Sequence, residues 1–448
     1  MAPQFPTRQN VKKILQHFGV NEGVIYLNGQ VLHERDDTDV ELAFRQESNF
    51  FYVTGVSEPG FHVVIDLATQ KVELYAPPVD PDLVIWMGEP ESLEEMQSKY
   101  DVDQVVYADQ LECRLASASV VYSIPIANTK ALDVSKIKFA AADDNERLYS
   151  AFCEARAVKS DWEIALIRQA NDISSNAHIQ LMRAAEVGKN ESDLHALFLY
   201  ESARKGAFFQ SYLPIVGVGK NAATLHYGKN KSPLTNATDL ILVDAGAEYN
   251  YYASDITRTF PVGGKFTPEA ATIYNLVLEM QKACFAECKA GTPWERIHEI
   301  ALNVACEGLL KIGILNGDKQ ELLDKGVVAA FFPHGIGHML GLDVHDVGGY
   351  PKGTEHINKP GYRYLRMRRT LAAGNVVTVE PGIYFCDFII NPVVQSPETS
   401  KYVNLEMLNR YKSVGGVRIE DNIVITEDGF VNLTTVPKEI ADIEKIMA

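Results

Sequence analysis

Residues 240–260 read "LILVDAGAEYNYYASDITRTF". The run is apolar and rich in β-branched and aromatic residues, as strands are. Yet it carries Asp244 and Asp255, where a buried sheet ordinarily admits no charge. If residues 240–245 and 251–259 are the arms of a hairpin turning about Tyr249 and Asn250, positions summing to 499 face each other, and 244 plus 255 is 499. Like charges directly opposite each other destabilise a strand pair, so this register predicts a cation between them.

Further donors follow. "PHGIGHMLGLDVHDVGGYP" carries His334, His338 and His345, "VVTVEPGIYF" places Glu380 before a turn, and "GGVRIEDNIVIT" places Glu420 in a β-branched run. Singly, each has a plainer explanation. An aspartate near a strand end is usually a turn residue, a histidine beside glycines is usually satisfied locally, and Glu420 could pair with Arg418 or Lys412 on a solvated face. Together, two Asp, two Glu and one His form a hard, oxygen-dominated set that suits manganese, or cobalt in vitro, better than a thiolate zinc site. Four carboxylates exceed the charge of one divalent ion, which points to two metals sharing bridging carboxylates.

In order, "DAG", the aspartate eleven residues on within "SDITRTF", "HGIGH", "VEPGIY" and "RIED" resemble the pita-bread metallopeptidases, which include methionine aminopeptidase, aminopeptidase P and prolidase. "FRQESNFFYVTGVSEPG" and "EARAVKSDWEI" extend the resemblance over nearly the whole chain. It implies an α+β protein: a pita-bread catalytic domain over 156–448, preceded by a smaller α/β domain over 1–155. Position by position, it makes Asp244, Asp255, His338, Glu380 and Glu420 the ligands of two divalent ions, which would activate a bridging water. Glu380 would also carry a proton to the leaving nitrogen. His226 in "NAATLHYG" and His345 match positions that contact substrate and steady the tetrahedral intermediate, and Tyr212 aligns with a site tyrosine. His334, four residues before His338, would share its face if the stretch were helical, but the glycines weaken that helix, so it is read as lying outside the ligand set. The relatives are dimers, so a homodimer is implied, with Trp86 of "VIWMGEP" reaching a neighbouring subunit's site.

The choice within the family turns on "GYRYLRMRRTL", which sets Arg363, Arg366, Arg368 and Arg369 in seven residues of an acidic chain. An Xaa-Pro bond offers no N–H on its proline, so it needs a dedicated pocket. A dipeptidase must also bind a free proline carboxylate, for which a bidentate arginine is the natural receptor. Prolidases resemble this chain in an Arg-bearing insertion after "HDVGGYP". The reading therefore favours an Xaa-Pro dipeptidase (prolidase), with Arg366 on the carboxylate and Arg418 orienting Glu420 or binding substrate. Aminopeptidase P acting on longer peptides is the alternative. A non-catalytic scaffold and the metal-free creatinase type are disfavoured by the full ligand set.

Composition bounds the rest. The 448 residues are 46% hydrophobic, with 42 Lys plus Arg against 59 Asp plus Glu. The net charge of −17 argues against nucleic-acid and anionic-membrane partners. No basic-then-apolar leader and no run of ~20 apolar residues is present, so a cytoplasmic protein acting on small peptides is expected. The six cysteines are too sparse for a disulfide scaffold, and Cys284 and Cys288 fall on the apolar stripe of a helix. "VGVGKN" lacks the remaining elements of a phosphate loop.

Capping signals divide the chain. Thr7 is expected to cap a helix ended by Gly19, and Ser92 with Glu95 and Ser160 with Glu163 form capping boxes. Further helices are expected at about 161–187, 190–205, 268–290 and 293–312, the third opened by Thr267-Pro268 and closed by Gly291.

Overall fold

The computed structural model describes residues 5–124 and 134–448. The chain divides into two compact units, Met1–Arg156 and Ala157–Ala448. In the first, β1 (Val24–Asn28), β2 (His62–Asp66), β3 (Val72–Ala76), β4 (Gln104–Tyr107) and β5 (Val121–Ser123) form one sheet in the order β4-β3-β2-β1-β5. Pairs β1/β2 and β2/β3 are antiparallel, whereas β3/β4 and β1/β5 are parallel. The first helix, Thr7–Phe18, ends where Gly19 adopts φ +64° and returns its N–H to Leu15, a left-handed cap that glycine enters without a Cβ penalty. Its start differs from expectation: Thr7 is already helical, and the preceding Pro6 provides no side-chain cap. The Ser92/Glu95 box is formed.

The second unit begins with the Ser160/Glu163 box heading the helix Asp161–Ala184, followed by Glu191–Ala203. Its strands are β6 (Phe209–Gln210), β7 (Ile215–Val218), β8 (Leu240–Asp244), β9 (Ala247–Glu248), β10 (Thr257–Pro261), β11 (Val376–Val379), β12 (Gly382–Tyr384), β13 (Gly416–Arg418), β14 (Asp421–Ile425) and β15 (Phe430–Asn432). They form short sheets, β10-β8-β7, β11-β14-β15, β12-β13 and β6-β9. Helices Pro268–Phe285 and Trp294–Lys311 bury Ile273, Val277, Met280 and Cys284 against the same core as Ile297, Ala301 and Ala305. Thr267 caps the first of these, with Pro268 at its opening position. The helix stops at Phe285, so Gly291 (φ +87°) shapes the following turn, its N–H bonded to Leu371 O. Cys284, Cys288 and Cys306 are buried and Cys113 is exposed. Among the described residues no helix is long and apolar enough to cross a membrane.

The hairpin of residues 240–261 has a different register from the one its sequence suggests. Asp244 faces Thr257, and Leu240 faces Pro261. The turn centres on Asn250 (φ +46°) and Tyr251 (φ +71°), one residue later than expected, and Tyr249 and Tyr252 exchange backbone hydrogen bonds across it. Positive φ at both central residues is the type I′ pattern, whose twist matches the strands. A shift of two residues leaves each side chain on its original face. Asp244 and Asp255 are therefore diagonal neighbours, with Asp255 just before β10. Gly246 is required here, because a Cβ would lie 1.8 Å from Ser254 O.

One buried histidine predicts an acid limit to stability. His298, on the helix Trp294–Lys311, packs between Phe332 and Tyr362 with Nε2 2.7 Å from Gly361 O, and burial pulls its pKa down to about 4. Below the unfolded value near 6.5 the unfolded chain binds the extra proton first, so folding stability falls as pH drops from about 6.5 to 4. The loss from this group approaches about 3 kcal/mol at pH 4. His298→Gln, read by urea unfolding at pH 7 and pH 4.5, should show a smaller acid-induced loss than the wild type. An equal loss would assign it to other groups.

Candidate active site

The carboxylates meet because strand registers bring them together. Asp244 ends β8, and Glu420 donates its backbone N–H to Thr257 O (3.1 Å) at the start of β10. β11 pairs with β14 through Val379 opposite Asp421, and β12 with β13 through Gly382 opposite Arg418. Both registers sum to 800, so Glu380 and Glu420 face each other at the break between the two ladders. Residues 336–340 run beside β11, with hydrogen bonds from Leu340 N to Val376 O, Thr378 N to His338 O and Glu380 N to Ile336 O, each 2.9–3.0 Å. Gly337 permits this approach, since a Cβ there would lie 2.1 Å from Thr378 O. The segment is not helical, so His334 and His338 do not share a helix face.

Three overlapping groups result: Asp244, Asp255 and Glu420; His338, Glu380 and Glu420; and Asp255, His338 and His345. Within each, one candidate ligand atom per residue lies within 4.8 Å of the others. His338 Nδ1 lies 2.9 Å from Met339 O, which fixes it as the donor. The Nε2 lone pair then faces Asp255 Oδ2 (3.3 Å) and Glu380 Oε1 (3.6 Å). A lone pair facing two carboxylates needs a proton or a cation between them. Glu420 Oε2 accepts from Thr257 Oγ1 at 2.7 Å, while its buried Oε1 has no partner among the described residues. Tyr212 Oη lies 2.5 Å from Asp244 Oδ1 and 2.6 Å from Asp255 Oδ1, although it has one proton for the two. Burial, then the neighbouring carboxylates, push Asp255, Glu380 and Glu420 well above the ordinary range. The orphaned oxygen, the aimed imidazole and the crowded charge fit divalent cations, and the donor set is the hard one such ions prefer.

Arg418 is buried and committed. Its Nη2 reaches Asp244 Oδ2 (2.6 Å), Nη1 the Tyr384 hydroxyl (3.0 Å) and Nε Thr257 Oγ1 (3.1 Å). It therefore holds Asp244 directly and reaches Glu420 through the Thr257 hydroxyl, which donates to Glu420 Oε2. His334 meets the same tyrosine through Nε2 (2.9 Å). Asn422 grips the Asp255 backbone, Oδ1 accepting its N–H (2.9 Å) and Nδ2 donating to its carbonyl (2.5 Å). Thr257, Tyr384 and Asn422 were not singled out in the sequence. Their one signal was position, since each lies within four residues of a carboxylate ligand candidate.

The cluster floors a cleft of about 910 Å³ whose walls include Tyr212, His226, His334, His345, Arg363 and Arg366. Burial lowers the pKa of His226, and that of His345 to about 3, so both are neutral at pH 7. The arginine cluster divides. Arg368 is held by Glu295 (2.7 Å) and Glu355 O, Arg369 donates to Gly348 O, and Arg363 stacks on Tyr364, with 5.0 Å to the ring centroid. Trp86 belongs to the first unit and is 79% exposed there.

Fold and site together define a metallopeptidase of pita-bread architecture. Residues 165–427 match the model of metallopeptidase family M24, and residues 7–122 that of the aminopeptidase P N-terminal domain. The chain belongs to family M24. It is 45% identical to the "Probable Xaa-Pro aminopeptidase PEPP" of Paracoccidioides lutzii, covering 100% of this chain and 97% of that protein. It is also 45% identical to the Botryotinia fuckeliana protein of the same description, covering 99% and 97%. Among solved structures it resembles aminopeptidase PepP of Pseudomonas aeruginosa (TM-score 0.81, 30% identity, 99% of this chain and 98% of that one). Zinc-substituted Escherichia coli aminopeptidase P in complex with product is similar too (TM-score 0.80, 31%, 99% of each chain).

These relatives overturn the dipeptidase expectation. They carry the aminopeptidase description and match this chain end to end, and this chain itself matches the aminopeptidase P N-terminal domain. The arginine cluster that favoured prolidase has a structural explanation for two of its four members. With that, the assignment of Arg366 to a dipeptide's carboxylate loses its basis.

Proposed function

We propose that this chain is an Xaa-Pro aminopeptidase, removing the N-terminal residue from peptides whose second residue is proline. The observation that carries the reading is the cluster of buried Asp244, Asp255, His338 and Glu420 with half-buried Glu380, closed around a Glu420 Oε1 unpaired among the described residues, in a chain matched end to end by proteins of that description. The five side chains would hold two divalent ions, and the hard donor set supports manganese. When bound, such ions supply Lewis acidity to the scissile carbonyl and make water nucleophilic at neutral pH.

The protein's own groups do the rest. Arg418 and Tyr212 hold Asp244 in place. His226 and His345, uncharged, donate N–H groups to the oxygen of the scissile carbonyl as it gains charge. Glu380 takes a proton from the attacking water and passes it to the proline nitrogen as the C–N bond breaks, releasing the first residue as a free acid and the remainder as a secondary amine. A cleft of about 910 Å³ leaves room for residues beyond the proline.

The test compares Ala-Pro-Ala, Ala-Pro and Ala-Ala-Ala after manganese loading. Ala-Pro-Ala should be cleaved after its alanine with kcat/KM at least ~10-fold above either control, the scale a shaped pocket supplies. Faster hydrolysis of Ala-Pro, or equal hydrolysis of Ala-Ala-Ala, would reject the reading.

A further inference from the structure

Behind the carboxylates lies a defect in the β-ladder that the sequence itself creates. The pairings Val379 with Asp421 and Gly382 with Arg418 continue one register, in which Pro381 stands opposite Ile419. Ile419 N reaches Pro381 O at 3.3 Å, as a hydrogen-bonded antiparallel pair requires. The reciprocal bond cannot form, because proline has no N–H. The carbonyl of Ile419, immediately before Glu420, is thus deprived of its ladder donor at the point where Glu380 and Glu420 face each other.

A side chain from elsewhere fills the gap. Gln281, on the helix Pro268–Phe285 and fully buried, donates Nε2 to Ile419 O (3.2 Å) and to Val379 O (3.0 Å). Those are the carbonyls directly preceding the two glutamates. The amide orientation is set from its other end, where Lys438 Nζ donates to Gln281 Oε1 at 2.7 Å while also reaching Asp421 Oδ2 at 2.5 Å. We infer that Gln281 is a positioning residue for the metal centre: its carboxamide replaces the hydrogen bond removed by Pro381 and thereby fixes the separation of Glu380 and Glu420. This rests on the proposed function, in which those glutamates are ligands. A buried carbonyl left without a donor is costly. With Val379 O still paired to Asp421 across the ladder, it is Ile419 O that loses its donor at the strand break, which would let the ladder shift and carry the carboxylates apart.

The experiment is a double-mutant cycle read by manganese affinity, using calorimetric titration of the chelator-stripped full chain. Gln281→Leu removes both donations and should weaken manganese binding about 10-fold or more, the usual cost of losing a group that orients a ligand. Turnover of Ala-Pro-Ala should fall in kcat more than it rises in KM. Pro381→Ala returns a backbone N–H opposite Ile419, so Gln281→Leu/Pro381→Ala should recover about half or more of the lost affinity on a logarithmic scale, a coupling that independent sites do not show. Gln281→Glu runs in parallel, keeping the side-chain length and the acceptor for Lys438 but lacking the N–H. It decides the matter should the leucine variant not fold. Affinity within about twofold of wild type in the folded variant, or a double mutant no better than the product of the singles, overturns the inference. A wild-type chain that takes up no manganese instead overturns the functional reading, and this inference with it.

Discussion

Glu420→Gln is expected to make the metal-stripped protein more heat-stable and the manganese-loaded protein less so, while Ala-Pro-Ala turnover falls on the order of 10³-fold. The opposite signs follow from the surroundings of this side chain. It is 1% exposed and faces Asp244, Asp255 and Glu380. Without cations these carboxylates repel in a poorly solvated space, and a neutral isostere removes one of the charges, worth about 1–2 kcal/mol. The amide keeps an oxygen beside the Thr257 hydroxyl and can turn its N–H groups towards Asp255. With cations the same exchange removes a charged donor, and the variant forgoes the stabilisation that tight binding confers on the folded state. Losing a group one layer outside a metal typically costs about 10–100-fold, and a direct ligand costs more. Thermal unfolding in chelator and in manganese, for wild type and variant, gives four midpoints. If the variant shows the wild-type rise on adding manganese, Glu420 is not a ligand.

The site was legible in the sequence to the extent that its donors lie in short motifs with fixed spacing. Asp244 and Asp255 betrayed themselves as charges in a β-prone run. The hairpin arithmetic found the correct face but the wrong partner, because Tyr251 occupies a positive-φ turn position that tyrosine seldom takes. An error of two residues was harmless to the conclusion, whereas an error of one would have put the aspartates on opposite faces. The opposition of Glu380 and Glu420 was not legible, since it depends on pairing two strands forty residues apart. Gln281 was invisible for the same reason: nothing in a helical sequence marks one glutamine as facing a gap left by a distant proline. The arginine cluster misled in a different way. Four guanidiniums near a site suggest an anion, yet Arg368 and Arg369 bind the protein's own acceptors, Glu295, Glu355 O and Gly348 O. Charge counted along the chain does not reveal which groups are already paired.

Arg258→Met is expected to destabilise the second unit by about 3–5 kcal/mol, the range for removing one partner of a buried ion pair. The arginine lies on β10 with no exposed surface. Its Nη1 donates to Thr257 O (2.9 Å) and Glu420 O (2.8 Å), Nη2 to Asp421 Oδ1 (2.7 Å) and Val436 O (2.8 Å), and Nε to Pro437 O (3.1 Å). One planar cation thus joins β10, the strand that follows Glu420 and the segment after β15. Against the cost of burial, Arg258 and Lys438 hold the Asp421 pKa below its ordinary value. Methionine fills much of the volume and satisfies none of the five acceptors. Lysine keeps the charge for Asp421 but lacks the fork that reaches the carbonyls, so Arg258→Lys should lie between, at about 1–3 kcal/mol. The two compact units need not unfold together. The measurement is therefore urea unfolding of the metal-stripped protein in a Trp86→Phe background, which leaves Trp162 and Trp294 reporting on the second unit alone. A midpoint shift worth less than about 1 kcal/mol for Arg258→Met would mean that water replaces these bonds, and that β10 and Glu420 are held by the ladder and not by the arginine.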